Sequence, residues 1–580
     1  MTRAWRLAVD RGYLLALLAL GLYLALAPAT IVGGDNPEMA ALAVLPGRAH
    51  PSGYPLYLLW LRATAWLPGQ SVAHTAALAT CLLAALAVLA LHAACRAWGA
   101  RPLAATLACA LFAASPVVLI IHTEAEVFAL NALAVACVLC LAAPAGPARG
   151  ARRAVLLGLV AGLGLANHVS CALVAPVGIY GVICGVREAA ARAPLVVAAT
   201  VGAFAIALLP YLQTLFAGDS AASWGQGDGL GDLVAHVLRS EYGATSLSAR
   251  GGDALPTANL LAFGKTLGRA FWWLPLGLAL VTLGVRAARR VAPGSRAPWL
   301  ALAASWLLAG PLFVARFNID PAGFGLHIVQ RMHLLPCLLL VIPLAVGLDW
   351  LGRARLGAAS ALWGVVAVPL LVVPSLGAAT AEHSPAVERS LIDTLRALPP
   401  NAALITDGDD YNFGIPYVQA VLGVRPDVIA INWPALKLPW AQARLRARGV
   451  AWDPQAAGPD PASVRLADYL NATGHPVFVD DFEANILRAR ASYPFVGLLG
   501  VLAPAATRPG LDAIALRNAS AFEHFDLAYP APGPDDGFVT LVHLRYAETW
   551  TRIAALYRRA GFPEQAAAAE QRAVALAPVD

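Results

Sequence analysis

Gly34-Asp35-Asn36-Pro37-Glu38, followed by His50-Pro51-Ser52-Gly53-Tyr54-Pro55, comes directly after the first long apolar run of the chain. A loop at that place begins where the chain leaves a membrane, and this one is stiff, polar and titratable. Pro37, Pro51 and Pro55 restrict the backbone, while Gly33, Gly34 and Gly53 open turns that other residues resist. A plain connection between two helices needs none of these. What the other segments build around this loop decides the fold.

The chain has 580 residues, 59% hydrophobic and 13% charged, with a mean hydropathy of +0.64. Soluble domains carry roughly 25% charged residues. Apolar segments fall near 12–28, 71–95, 102–121, 126–143, 153–167, 169–186, 193–216, 262–285, 297–315, 327–348 and 356–377. That is about eleven spans of the length a bilayer requires, so the chain reads as a polytopic α-helical membrane protein. Tyr54 to Leu67 is too short to span and is expected to lie along the interface. Segments 153–167 and 169–186 are expected to form a tight hairpin. Arg3, Arg6 and Arg11, an apolar run and Ala25-Leu26-Ala27 also resemble a cleavable secretory signal. A retained first helix is preferred, because the loop motif follows it at once.

Arginines set the orientation. Arg3, Arg6 and Arg11 precede the first span; Arg96 and Arg101 follow the second; Arg149, Arg152 and Arg153 follow the fourth; Arg187 and Arg192 follow the sixth. Arg286, Arg289, Arg290 and Arg296 follow the eighth, and Arg353 and Arg355 the tenth. All fall on one side, which by the positive-inside rule is the cytoplasmic side. With an odd number of spans the chain after Leu376 emerges outside. The net charge of +6 belongs largely to these loops and does not indicate nucleic-acid binding. The eight cysteines all lie in apolar segments, where thiols pack as small apolar groups. Cys137 and Cys140 have no second pair to make a metal or redox motif.

The opposite face collects the titratable groups. Asp35, Glu38 and His50 are there, with His122, Glu124 and Glu126 after the third span and Asn167 and His168 in the hairpin turn. The long loop 217–261 adds Asp219, Asp228, Asp232, His236, Arg239, Glu241 and Tyr242. Lys265, Arg269 and Arg316 sit near outer helix ends, and His327, Arg331 and His333 enter the tenth span from outside. An ionisable group at membrane depth costs about 2.5–3.5 kcal/mol, so several on one face indicate a site. Each also has a plainer reading. Asp35 can cap the helix that begins near Pro37, with Glu38 favouring its N-terminus. His50 can bond a neighbouring carbonyl, and Asn167 and His168 can satisfy a buried turn. Arg331 can pair with a loop carboxylate. Glu124 and Glu126 cannot share one helical face, so at most one of them points into the cavity.

The membrane part, with a first outer loop at 29–54, is expected to end near residue 378. Ala402-Ala403-Leu404-Ile405-Thr406-Asp407-Gly408, Val428-Ile429-Ala430-Ile431-Asn432 and Val477-Phe478-Val479-Asp480-Asp481 read as buried strands. Helical patterns at 384–397 and 438–449 make residues 379–545 a soluble α/β domain. Asp407, Asp409 and Asp410, past a strand end, suit a cation or substrate, or serve as turn and helix-cap acids. Trp550, Tyr557, Gly561, Ala566, Ala573 and Pro578 have the spacing of one tetratricopeptide-like helix pair over 546–580. A single pair cannot bury its own face, so it needs the α/β domain or a partner.

The loop motif, together with Ala49 and Leu56-Tyr57, resembles the opening of the bacterial and animal transmembrane-protein family related to protein O-mannosyltransferases. Glu124-Ala125-Glu126-Val127-Phe128-Ala129-Leu130-Asn131 and Gly162-Leu163-Gly164-Leu165-Ala166-Asn167-His168 fit it too. So do His236-Val237-Leu238-Arg239-Ser240-Glu241-Tyr242-Gly243 and Gly423-Val424-Arg425-Pro426-Asp427-Val428. Ser52 stands where a second proline is expected. The resemblance implies a GT-C glycosyltransferase in a bacterial inner membrane, with the soluble domain in the periplasm. It implies a polyprenyl-phosphate sugar donor, membrane lipids as surroundings, and a protein Ser/Thr, lipid or glycan acceptor. It also implies a catalytic acid in the first outer loop, where Asp35 stands with Glu38 beside it. An aspartate can take the acceptor proton as general base, and the leaving lipid phosphate needs cations or donors. His50, Tyr54, Glu124, Glu126, Asn167, His168, Arg239, Tyr242, Arg269 and Arg331 are the candidates to bind donor phosphate or substrate. No Asp-x-Asp stands in the first outer loop, so neither an obligatory metal nor another cofactor is expected. A transporter or flippase of a lipid-linked substrate, and a non-catalytic envelope assembly factor, are the rival readings.

Overall fold

The computed structural model describes residues 3–225, 227, 229–241, 253–288, 296–322, 324–353, 357–455, 459–480, 484–504 and 506–579. Its contacts divide the chain into two units. One comprises Met1–Pro28, Arg48–Gly218 and Gly227–His383; the other comprises Ala29–Gly47, Asp219–Gln226 and Ser384–Asp580.

The first unit is helical, and every apolar segment named above folds as helix. Among the described residues, Val72–Ala97, Val169–Glu188, Ala190–Leu215 and Gly325–Leu351 are individually long and apolar enough to cross a membrane. Two segments depart from a simple span. The run 262–285 lies across Pro256–Phe271 and Trp273–Ala288, which meet at 105°. The run 102–121 breaks into Pro102–Ala113 and Pro116–Ile121, because Pro116 starts a new helix at its first position. The short stretch after Tyr54 is helical over Pro55–Ala63.

Helix Gly325–Leu351 is central, with 89% of its apolar window buried, against 28% for Val169–Glu188 and 22% for Ala190–Leu215. The last two therefore keep an apolar outer surface of the kind that faces lipid, including Ile179, Leu195, Val201 and Ile206. Helix Gly150–Asn167 packs closely on Ala193–Ala207. A Cβ at Gly158 would stand 2.5 Å from the Thr200 carbonyl oxygen, and one at Gly162 2.5 Å from that of Phe204. Two glycines four apart let the backbones approach this closely.

The second unit is built on a five-stranded sheet of order β2-β1-β3-β5-β4. Here β1 is Ala403–Thr406, β2 Ile429–Asn432, β3 Val477–Val479, β4 Ser492–Phe495 and β5 Leu498–Val501. β1 pairs in parallel with β2 and β3, and the β4–β5 hairpin adds antiparallel to β3. One face buries Ile405, Ile429, Ile431 and Val479 against Leu445, Val464 and Leu470 of the helices Pro439–Ala447 and Ala462–Ala472. Each such side chain contributes about 1.5–3 kcal/mol when fully buried. The Gly423–Val428 block is a structural clamp. Arg425 makes a two-bond fork to Asp427 at 2.8 Å each and also donates to the carbonyls of Leu395, Leu398 and Pro399.

The terminal helices Gly537–Arg559 and Pro563–Leu576 meet at Gly561. Trp550, Ile553, Tyr557, Ala566 and Ala573 pack with Ile514 of helix Leu511–Phe522, so the pair is seated on its own unit. Two segments read from the sequence as membrane loops are also held within this unit. Helix Asn36–Val44 packs on helix Asp409–Ala420. The Ile31 N–H donates to Glu388 Oε2 (3.1 Å), and a Cβ on Gly33 would collide with the Phe538 ring. Arg444 donates to Asp219 Oδ1 (2.7 Å) and to the Ser223 carbonyl (3.0 Å).

Candidate functional site

The His-Pro loop of the first unit is anchored from both ends. Arg48, 2% exposed, forms an ion pair with Asp232 on helix Leu230–Val237. On the same helix, His236 Nε2–H donates to the Ala49 carbonyl (3.0 Å), and burial, helped by Arg48, pulls its pKa down to about 3. A neutral imidazole is thus a fixed strut between the loop and the long outer segment. Tyr54 adopts φ +45°, which presents its ring and hydroxyl to two histidines. Its hydroxyl bonds His50 Nε2 at 3.0 Å, and its ring stacks on His168 with centroids 5.7 Å apart and planes 5° apart.

His168 carries the chain of bonds inward. Its Nδ1 accepts from the Ser170 N–H (3.1 Å) and lies 2.7 Å from Ser170 Oγ, to which Asn131 Nδ2 donates at 3.0 Å. Asn167 Nδ2 donates to the Val127 carbonyl at 3.0 Å, which ties the hairpin turn to the stretch after the third span. Asn131, Ser170, His122 and Arg331 line one pocket, walled by Phe112, Phe128 and Phe313. Arg331 Nη1 meets Glu126 Oε1 at 3.0 Å, and both side chains are buried. His122 is fully buried with neither ring nitrogen hydrogen-bonded. A buried polar group left so costs about 1–3 kcal/mol, which the fold would not carry without a use for it. The pocket offers donors and one cation among aromatic walls, suited to an anionic, partly apolar ligand.

His50, Tyr54, Glu126, Asn167, His168 and Arg331 thus converge by direct contact or through one shared neighbour. Glu124 is buried nearby, its carbonyl accepting from the Glu126 N–H at 2.8 Å. Both acids lie in the turn before helix Phe128–Ala142, so the argument from one helical face does not apply to them. Arg269 stands outside this set. It is exposed, as is Lys265, while Phe263, Thr266, Leu267 and Ala270 form the buried stripe of the same helix. Arg239 is half-buried with φ +54°, and Tyr242 lies outside the described residues, as does Asp228. Asp35 and Glu38 belong to the second unit. Asp35 sits at the N-cap of helix Asn36–Val44, yet its side chain makes no capping bond, and Glu38 is buried, lining a cleft of the α/β sheet.

Of the acids beyond β1, Asp410 serves the fold. Asp410 forms a buried ion pair with Arg545, whose guanidinium also lies 4.4 Å from the Tyr411 ring centroid. Asp480 Oδ2 accepts from the Asp407 N–H at 2.7 Å. Arg48 and Ser170 escaped the sequence reading, while His122 appeared there only among the outer-face groups and Asn131 only within a family block. Arg48 did leave a signal, being an arginine on the face where the positive-inside rule disfavours it.

Residues 35–191 match the family described as Protein O-mannosyl-transferase TMEM260 N-terminal domain. The mouse (Mus musculus) Protein O-mannosyl-transferase TMEM260 is 24% identical over 461 residues, which is 75% of this chain and 64% of that protein. The fold is similar to ArnT from Cupriavidus metallidurans bound to undecaprenyl phosphate, with a TM-score of 0.51 at 15% identity, over 88% of this chain and 100% of that one. The apo structure of the same protein gives 0.50 at 15% identity, over 86% and 98%. Residues 35–191 thus form a domain similar to the TMEM260 N-terminal domain, set in a helical chain whose fold is similar to that of ArnT.

Proposed function

We propose that the protein is a membrane glycosyltransferase that moves a sugar from a polyprenyl-phosphate donor to an acceptor hydroxyl of a protein, lipid or glycan. The proposal includes about eleven spans, a cytoplasmic N-terminus and an outer-face reaction in a bacterial inner membrane. The observation that carries it is the pocket where Arg331, Asn131, Ser170 and the unbonded His122 face aromatic walls. A phosphate group matches that surface in charge and hydrogen bonding, while a cavity volume of about 10 Å³ leaves the lipid tail outside it. The ligand bound in the ArnT structure, undecaprenyl phosphate, is of this class.

In the reaction the acceptor oxygen attacks the anomeric carbon while its proton passes to the Asp35 carboxylate. The bond from that carbon to the phosphate oxygen breaks, its electron pair leaves on the lipid phosphate, and the configuration inverts. Arg331 holds the phosphate as its charge grows, in a site where a fixed donor is worth far more than in water. General-base catalysis is worth about 10²–10⁴ in rate. Asp35→Asn should therefore lower turnover by about that factor without weakening donor binding.

Purified protein in detergent, given radiolabelled polyprenyl-phosphate mannose, glucose or arabinose, tests this directly. Turnover and slow donor hydrolysis are compared between wild type and Asp35→Asn. Equal turnover would remove Asp35 from the mechanism, and failure of every donor to bind would sink the transferase reading. One observation favours a flippase instead: the 105° break between Phe271 and Trp273 resembles the interrupted helices of transporters. That reading requires lipid movement across reconstituted liposomes without any sugar transfer.

A further inference from the structure

The second unit has a cleft that no step above uses. β2 is an edge strand, and all four of its residues, Ile429–Asn432, line this cleft. Alternate side chains of a strand point to opposite faces, so a pocket on one face would meet only every second residue. A pocket that meets all four lies across the strand's edge. Its two walls agree with this. Helix Asp409–Ala420 flanks it from one face of the sheet with Phe413, and helix Pro439–Ala447 from the other with Trp440. The cleft is open to solvent, and its cavity volume is about 110 Å³.

The edge is polar in a regular way. The N–H groups of Ile429 and Trp433 donate to the carbonyls of Ala402 and Thr406 on the β1 side. By strand alternation Ala430 and Asn432 turn their N–H and C=O away from β1, into the cleft. The polar side chains around them are largely committed elsewhere. Thr406 Oγ1 donates to Asn412 Oδ1 (2.8 Å), Gln419 Nε2 to the carbonyls of Arg425 and Val428 (2.9 Å each), and Arg444 to Asp219 and Ser223. Trp440 Nε1 is buried without a partner. Trp224 and Trp440 stand 5.5 Å apart, tilted 57°, as an aromatic bracket over the opening.

We propose that this cleft docks an extended polypeptide segment, which adds as a further strand along the free edge of β2 and lays its side chains against Trp224 and Trp440. The side-chain groups named above are bonded, Trp440 Nε1 apart, and the repeating capacity along the edge is backbone, which another backbone matches better than a sugar ring does. On the transferase reading the bound segment carries the acceptor hydroxyl. That identification rests on the reading, whereas the docking does not.

The test uses full-length protein in detergent and a short fluorescein-labelled peptide alternating Thr and Val between Lys ends, followed by fluorescence anisotropy. Saturable binding is expected. Ala430→Pro removes an outward N–H at an edge position where proline is tolerated, and should weaken binding about tenfold while the melting temperature holds. Peptides N-methylated at one alternate set of residues should weaken similarly, and those methylated at the other set should not. These peptide arms leave the protein unaltered, so a misfolded variant cannot mimic the result. Absence of binding, or equal binding by Ala430→Pro and by both methylated peptides, would overturn the proposal. So would displacement of the peptide by mannose or N-acetylglucosamine oligosaccharides. Donor turnover is recorded on the same samples. Peptide binding without transfer retains the docking site and loses the transferase; transfer without peptide binding does the reverse.

Discussion

Arg331 holds a buried ion pair and lines the proposed donor pocket, and the two roles can be separated. Removing one partner of a buried pair strands the other charge, at about 3–5 kcal/mol. Arg331→Met should therefore destabilise the first unit, and the double variant Arg331→Met, Glu126→Gln should recover most of that loss. Donor binding should stay lost in both, because Arg331 supplies the positive charge among the residues that line the pocket. A double variant that melts like wild type and still binds donor would confine Arg331 to a structural role. Glu388 gives a second case, outside the membrane. Burial raises its pKa, although the Ile31 N–H stabilises its charged form. A carboxyl raised in the fold loses stability as pH climbs from its unfolded value, about 4.3, through its folded one. Glu388→Gln keeps an acceptor for Ile31 and removes the charge. It should melt higher than wild type at pH 7, with the gap closing near pH 4; a constant gap would mean that the charge is not the cause.

Among the elements, the loop that opens the family domain depends on contacts that a local sequence does not announce. Gly33 lies against the Phe538 ring, so Gly33→Ala forces overpacking at a cost of about 1–3 kcal/mol. Adding Phe538→Leu should return part of it, as measured by urea unfolding; no recovery would place the strain in the Gly33 backbone. The same contrast explains what was legible. β1 and β3 announce themselves as short apolar runs because they are buried on both faces, and β2 through Ile429 and Ile431 on its buried face. The β4–β5 hairpin did not, since Pro494 and Gly500 interrupt its pattern and Gly497 turns it. The bend at Trp272 is hidden in an unbroken apolar run with no proline at the break, and only the φ of +59° marks it. His50, Tyr54 and His168 were legible through their motifs. Arg269 is exposed on its helix, since position near a helix end says nothing of which face a residue occupies. The pairs Glu126–Arg331 and Asp410–Arg545 join residues far apart in the chain, and composition alone cannot match them.

At the scale of the molecule, the second unit is discontinuous: Ala29–Gly47 and Asp219–Gln226 pack with Ser384–Asp580 although long helical stretches separate them in sequence. The proposed base, Asp35, is therefore positioned by residues some hundreds of places further on. Helix Asn36–Val44 shows how strongly. Met39 and Leu42 are fully buried, worth about 1.5–3 kcal/mol each, and the helix is only nine residues long. A helix of that length does not stand alone in water. Ending the chain after His383 removes Glu388, helix Asp409–Ala420, Arg444 and Phe538 together. The shortened protein should still insert as a membrane protein, since its apolar helices remain, but 29–47 and 219–226 should become sites of rapid proteolysis that are resistant in the full chain. Asp35-dependent turnover should vanish while donor binding at the Arg331 pocket persists, because that pocket is built entirely within the first unit. Limited proteolysis with mass-spectrometric mapping, beside a donor-binding assay, reads both. Protection of both segments in the shortened chain would mean that the first unit holds them, and the positioning of Asp35 by the α/β unit would have to be abandoned.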